Sequence, residues 1–216
     1  LNKDALSPGV EKAKAAGIKV IMVDSGVSTP KYDAFFATDN GAAARTAADT
    51  LAALLGGKGK IAIINAQAGA GTTMTRENEF KAQIKAKYPG IEIVGVQYSD
   101  GDKTKAMNQA LDFMTANPAL AGFYGCNEGS TVGLAQAVVQ SGKAEKVKVV
   151  GFDFSNDTKA LIQQKAIQAT MVQNPYQMGY LGVDAGVRAL KGEDFGGKTI
   201  DTGVTVATLE NLSSIK

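Results

Sequence analysis

The chain has 216 residues, with 23 Lys plus Arg against 21 Asp plus Glu, no His, no Trp and a single Cys, Cys126. That length suits one large or two small domains with an ample core. The interspersed charge leaves no nucleic-acid footprint, and no apolar run is long enough to span a membrane as a helix. Without His and with one Cys, a histidine-based triad, a His/Cys zinc site and an internal disulfide are all excluded, so cysteine usage does not report the redox compartment.

No secretory signal is visible, and Leu1 reads as the run-in to a helix. Ser7-Pro8 is expected to open a short helix to Ala16, with Pro in its first turn and Gly17 ending it. Ile18–Val23 reads as a strand ending on Asp24, and Phe35–Thr38 as a short strand reaching Asp39-Asn40. Asn40–Leu55 is an Ala-rich helix closed by Gly56-Gly57. Lys60–Asn65 is a strand, followed by the small-residue loop Ala66–Thr73 and an amphipathic helix, Thr75–Tyr88, stopped by Pro89-Gly90. A strand at Ile91–Tyr98 and a helix at Lys103–Ala116 come next. Leu120–Cys126 is a strand ending on Asn127, and Glu128–Gln140 a helix. Val147–Asp153 reads as a buried parallel strand ending on an acid, with Asn156-Asp157 placed to cap the helix Asp157–Gln164. Ala166–Gln173 is a strand ending at Asn174-Pro175, Tyr176–Lys191 a helix, and Thr199–Ala207 a last extended stretch. This alternation predicts an α/β protein whose parallel sheets are wound on both sides.

The loop Gln67–Thr75 has glycines but no nucleotide fingerprint: no Lys follows Gly71, and Met74 stands where a dinucleotide-binding loop needs its third Gly. It reads as a flexible turn of small residues. Asp24, Arg76, Asn127, Asp153 and Gln173 all fall at or just past the carboxyl end of a predicted strand, where open α/β sheets bind ligands. Each also has a plain alternative. Asp153 could be a turn or cap residue, Asn127 a helix N-cap, Gln173 a turn residue, and Arg76 an exposed first-turn Arg, although a cation there opposes the helix dipole. Cys126 reads as a small buried hydrophobe. Together the five carry carboxylate, amide and guanidinium groups with directional hydrogen bonds and no nucleophile–base pair. That set suits holding a neutral polyol and predicts no catalytic residue, cofactor or metal.

The segments V-D-S (Val23–Ser25), T-R-E-N-E-F (Thr75–Phe80), G-C-N-E (Gly125–Glu128), V-G-F-D (Val150–Asp153) and A-T-M-V-Q-N-P (Ala169–Pro175) occur in an order and spacing that resemble periplasmic sugar-binding proteins of the ribose-binding type, which share their fold with LacI-type repressor cores. The resemblance covers essentially the whole chain. It implies that Asp24, Arg76, Asn127, Asp153 and Gln173 contact a pentose or polyol. Ser25 stands where many members carry Arg. The family's opening strand–helix–strand–helix, its signal peptide and its sugar-sandwiching aromatics have no counterpart in this sequence.

The resemblance further implies a two-lobe periplasmic-binding-protein fold with an incomplete first lobe. That lobe comprises 1–38 plus 174–203 and the second 39–173 plus 204–216, with crossovers near Thr38–Asn40, Gln173–Pro175 and Gly203–Thr205. The function implied is an extracytoplasmic receptor of an ABC importer, partnered by a membrane permease and not by nucleic acid, whose lobes close over a monosaccharide or polyol. The alternatives are the effector-binding core of a LacI-type repressor and, disfavoured by the missing phosphate loops, a sugar kinase or dehydrogenase. An unpaired edge at Ile18–Val23 would recruit a second chain, so self-association is also expected; sugar affinity is expected to be weak because closure has only part of a second lobe to close with.

Overall fold

The computed structural model describes residues 2–215. The chain folds as two compact units. Of the described residues, unit 1 comprises 2–40, 69–72 and 173–204, and unit 2 comprises 41–68, 73–172 and 205–215. The short stretch 69–72 thus goes with unit 1, a passage that nothing in its composition announces.

Unit 1 holds a three-stranded parallel sheet of β1 (Ile21–Val23), β2 (Ala34–Ala37) and β8 (Lys198–Asp201), in the order β1-β2-β8. β1 is shorter than the predicted Ile18–Val23. The Val20 N–H is taken at 2.7 Å by the Asp33 carboxylate, so the ladder starts only at Ile21. Helix α1 (Lys3–Ala15) starts four residues before the expected Ser7 because Asn2 caps it, accepting from the Asp4 N–H at 2.8 Å. Pro8 therefore lies inside the helix and not in its first turn, and it leaves one helical carbonyl without its usual amide donor. Helix α7 (Pro175–Leu190) packs on β1 and β2; its Gly182 comes so close to Val23 that a Cβ there would meet Val23 Cγ2 at 2.7 Å. A small core of Ala34, Phe36 and Ala185 results, with Ile21, Leu181, Phe195 and Ile200 around it.

The predicted stretch Thr199–Ala207 is two strands, not one. β8 closes the sheet of unit 1, and β9 (Val204–Ala207) joins the sheet of unit 2. Gly203 turns between them at φ +83°, its N–H donating at 2.9 Å to Asp201 Oδ1, which also accepts from Asp39 N–H at 2.9 Å.

Unit 2 is a six-stranded sheet ordered β4-β3-β5-β6-β7-β9. Its members are β3 (Lys58–Asn65), β4 (Gly90–Tyr98), β5 (Leu120–Gly125), β6 (Lys148–Phe152) and β7 (Ala169–Gln173), with the β9 already described. β4, β3, β5, β6 and β7 pair parallel along that order. Their connections are helices α3 (Gly71–Lys87), α4 (Lys103–Ala116), α5 (Glu128–Gln140) and α6 (Asn156–Gln163), with α2 (Asn40–Leu54) leading in. α2 buries Ala43, Ala44, Ala47 and Ala48 beside Leu51, a small-residue face that lets the helix lie close. α3 begins at Gly71, so residues 71–74, expected to be loop, are its first turn.

α4 and α5 meet across glycines of α5. A Cβ on Gly129 would stand 1.9 Å from the Gly101 carbonyl oxygen, and one on Gly133 2.4 Å from that of Lys103. The obstacle in both cases is backbone, which cannot turn aside. Gly129→Ala is expected to cost about 3 kcal/mol by forcing the helices apart, read as a lowered denaturation midpoint. An unchanged midpoint would show that this contact is slack.

Candidate functional site

The order of strands in unit 2 reverses at β3, because the chain goes from β3 to β4 on one side and then to β5 on the other. A crevice forms outside the carboxyl ends of the strands at such a point. Three of the five predicted residues gather there.

Arg76 is the sixth residue of α3, not its first-turn residue, so the expected conflict with the helix dipole does not arise. It is 2% exposed. Its guanidinium lies 4.0 Å from the centroid of the Phe152 ring, and Nη1 donates to the Cys126 carbonyl at 2.9 Å. Beneath it the aromatics are layered: Phe152 meets Tyr124 edge-on with centroids 6.3 Å apart, and Tyr124 stacks on Phe80 at 4.0 Å. This column supports the guanidinium from below. Burial pushes the Tyr124 hydroxyl and the Cys126 thiol well above their ordinary pKa values, so both stay neutral. Cys126 is fully buried, as the reading of a small hydrophobe requires.

Asn127 comes after β5 and Cys126 and is an N-cap: its Oδ1 accepts from Ser130 N–H at 3.3 Å. Asp153 directly follows β6 with φ +73°, a left-handed conformation that Asp tolerates better than most residues. Its own N–H continues the ladder to the Met171 carbonyl at 2.9 Å, and its carbonyl accepts from the Thr170 hydroxyl at 2.8 Å. The carboxylate Oδ2 accepts from Glu128 N–H at 2.9 Å, one of the orphan donors at the start of α5. The helix after Asp153 is capped by Ser155, through a capping box with Thr158, and not by Asn156-Asp157 as expected. Asp153 is thus spared that duty and is aimed across at α5.

Asp24 and Gln173 belong to unit 1. Asp24 follows β1 at φ +66°; its N–H donates to the Phe36 carbonyl at 2.8 Å and its carboxylate accepts from Ser25 Oγ at 3.1 Å. Gln173 is the last residue of β7 and is half-buried, with Asn174 beyond it capping α7 through Gln177 N–H at 3.0 Å. Sequence reasoning passed over the buried network behind Arg76. Glu77, 2% exposed, accepts from Asn65 Nδ2 at 2.8 Å and from the Tyr98 hydroxyl at 3.2 Å. Burial, followed by the Glu77 carboxylate, pushes the Tyr98 hydroxyl above its usual pKa. A signal was present: Glu77, Phe80 and Ile84 share one helical face, so an acid stood on a stripe otherwise destined for the core. Among the described residues no cluster of three or more His, Cys, Asp or Glu is placed to hold a metal.

Directional polar side chains thus gather where the strands of a doubly wound sheet end. Residues 1–194 match the family of the periplasmic binding protein domain. The ribose import binding protein of Salmonella typhimurium is 31% identical over 192 residues, covering 89% of this chain and 64% of that protein. Among solved structures, an ABC transporter solute-binding protein from Agrobacterium vitis with bound D-fucose superposes with a TM-score of 0.93 at 41% identity, and a carbohydrate transporter solute-binding protein from Agrobacterium radiobacter in complex with D-arabinose does so with 0.93 at 35%. Each match covers 98% of this chain and 73% of the other. The chain belongs to the periplasmic binding protein domain family, and it spans less than two thirds of the length of the curated ribose-binding relatives.

Proposed function

We propose that this chain is the solute-binding part of an extracytoplasmic receptor of an ABC importer, and that its solute is a monosaccharide or polyol. The gathering of Arg76, Asn127 and Asp153 at the strand ends around the β3 reversal carries the reading. These groups offer a planar donor fork, an amide and a fixed acceptor, which is how vicinal hydroxyls are held. In this reading Asp24 and Gln173 also contact solute, and a membrane permease receives it. Nothing among the relatives above supports the repressor reading. The test is a thermal-shift screen of the intact protein against pentoses, hexoses and polyols. A rise with one sugar class supports the proposal, and no shift with any of them overturns it.

Self-association belongs to the same proposal. β1 has a strand neighbour on one side only among the described residues; its Val23 is exposed, and so is Ile18 ahead of it. On α7, Tyr176, Tyr180, Val183, Val187 and Leu190 are all exposed at heptad spacing. A contiguous apolar face next to an open strand edge favours a second copy of the chain. Size-exclusion chromatography with light scattering on the 216-residue chain is expected to show a dimer or larger species. A monodisperse monomer would refute it.

A further inference from the structure

β5 and β6 stop pairing at Tyr124↔Val150, short of their carboxyl ends. The gap is filled by Thr131, from the first turns of α5, which is completely buried. It fits because Gly125 and Gly151 flank it: a Cβ on Gly151 would lie 2.2 Å from Thr131 Cγ2 and Oγ1, and one on Gly125 2.6 Å from Oγ1. The hydroxyl replaces the missing rung of the ladder. It accepts from Phe152 N–H at 3.1 Å and donates to the Asn127 carbonyl at 2.8 Å. The Asp153 carboxylate accepts from Glu128 N–H at 2.9 Å. These bonds close a ring: from the Asn127 carbonyl through the Thr131 hydroxyl to Phe152, along the chain to Asp153, and back through Glu128 to Asn127.

We propose that Thr131 is a positioning residue that locks Asn127 and Asp153 into one unit, so that their separation and orientation toward the solute are set by its hydroxyl. This rests on the sugar-binding reading. Thr131 itself lies behind both residues and takes no part in contact with solute. Its methyl and hydroxyl do different work. The methyl packs against Gly151, while the hydroxyl carries both bonds of the ring. Thr131→Val keeps the shape and removes the bonds; Thr131→Ser keeps the bonds and trims the shape.

The test compares the two variants in the intact protein, by calorimetric titration with the sugar found in the screen and by amide hydrogen exchange followed by NMR without sugar. Thr131→Val is expected to lower affinity about tenfold, and Thr131→Ser to stay within about twofold of the parent protein. Combined with Asp153→Asn, Thr131→Val should cost less than the sum of the two single losses, because both act on one ring. Without sugar, Thr131→Val should speed exchange at Glu128, whose N–H bonds Asp153 and not Thr131, and Thr131→Ser should not. A role in packing alone would lower the thermal midpoint while leaving affinity and Glu128 exchange unchanged. Unchanged Glu128 exchange in Thr131→Val overturns the proposal whether or not a sugar binds, and so does a Thr131→Ser variant that loses as much affinity as Thr131→Val. If Thr131→Val does not fold, the Thr131→Ser result decides. A parent protein that binds no sugar sinks the functional reading, while the exchange measurement still judges the ring.

Discussion

Asp153→Ala is expected to weaken sugar binding by about tenfold to a few hundredfold, since a hydrogen bond to a charged group contributes roughly 1.5–3 kcal/mol. Two structural terms would accompany that loss. Ala at φ +73° occupies a left-handed conformation that costs an L-residue roughly 1–2 kcal/mol, and Glu128 N–H at the head of α5 loses its acceptor. Asp153→Asn separates the two effects. Asn tolerates the left-handed turn and still presents an oxygen to Glu128, so it should spare most of the stability and forfeit only what the charge supplies. Calorimetric titration and denaturant unfolding of both variants check this. Parent-like affinity in Asp153→Ala would remove Asp153 from the site.

Arg76→Ala should abolish most binding and destabilise unit 2 as well. The guanidinium is buried, caps the Phe152 face and satisfies the Cys126 carbonyl, and deleting it strands that carbonyl at a cost of about 1–3 kcal/mol. Arg76→Lys is the sharper variant. An ammonium keeps the charge but cannot stack its plane on Phe152 while donating sideways to Cys126 and outward to a hydroxyl. Lys should therefore lose most of the affinity that Ala loses. Near-parent affinity with Lys would mean that Arg76 supplies positive charge and no directional fork.

The class of the fold and the order of its elements were legible in the residues alone, and so was the placing of two polar side chains just past strand ends. Alternation of apolar runs with helical periods dictates parallel strands and crossover helices, and the side chains that end those strands must lie on a common edge. That is why Asn127 and Asp153 could be named from their positions in the chain, whereas Arg76 sits in the second turn of α3 and is brought beside them by the fold. Helices α4 and α5 were also read at their observed bounds, because Asp102 caps the first of them, Asn127 caps the second, and Asn117 ends α4 ahead of Pro118.

Tertiary structure decided what local chemistry leaves open. Val20 could have extended β1, but a carboxylate thirteen residues away took its N–H. Thr199–Ala207 looks like one strand because each half is locally extended; the pairing partners, β2 for one half and the sheet of unit 2 for the other, split it at Gly203, within the crossover that the family resemblance implied. Asn156 and Ser155 are both competent caps, and the bond to Thr158 selected Ser155. Arg76 became a stacked, buried donor only because Phe152, from a strand more than seventy residues on, arrived beneath it. Hydrogen-bond competition and packing between distant segments depend on which groups the fold brings within about 3–4 Å of one another, and a pattern read along the chain does not carry those distances.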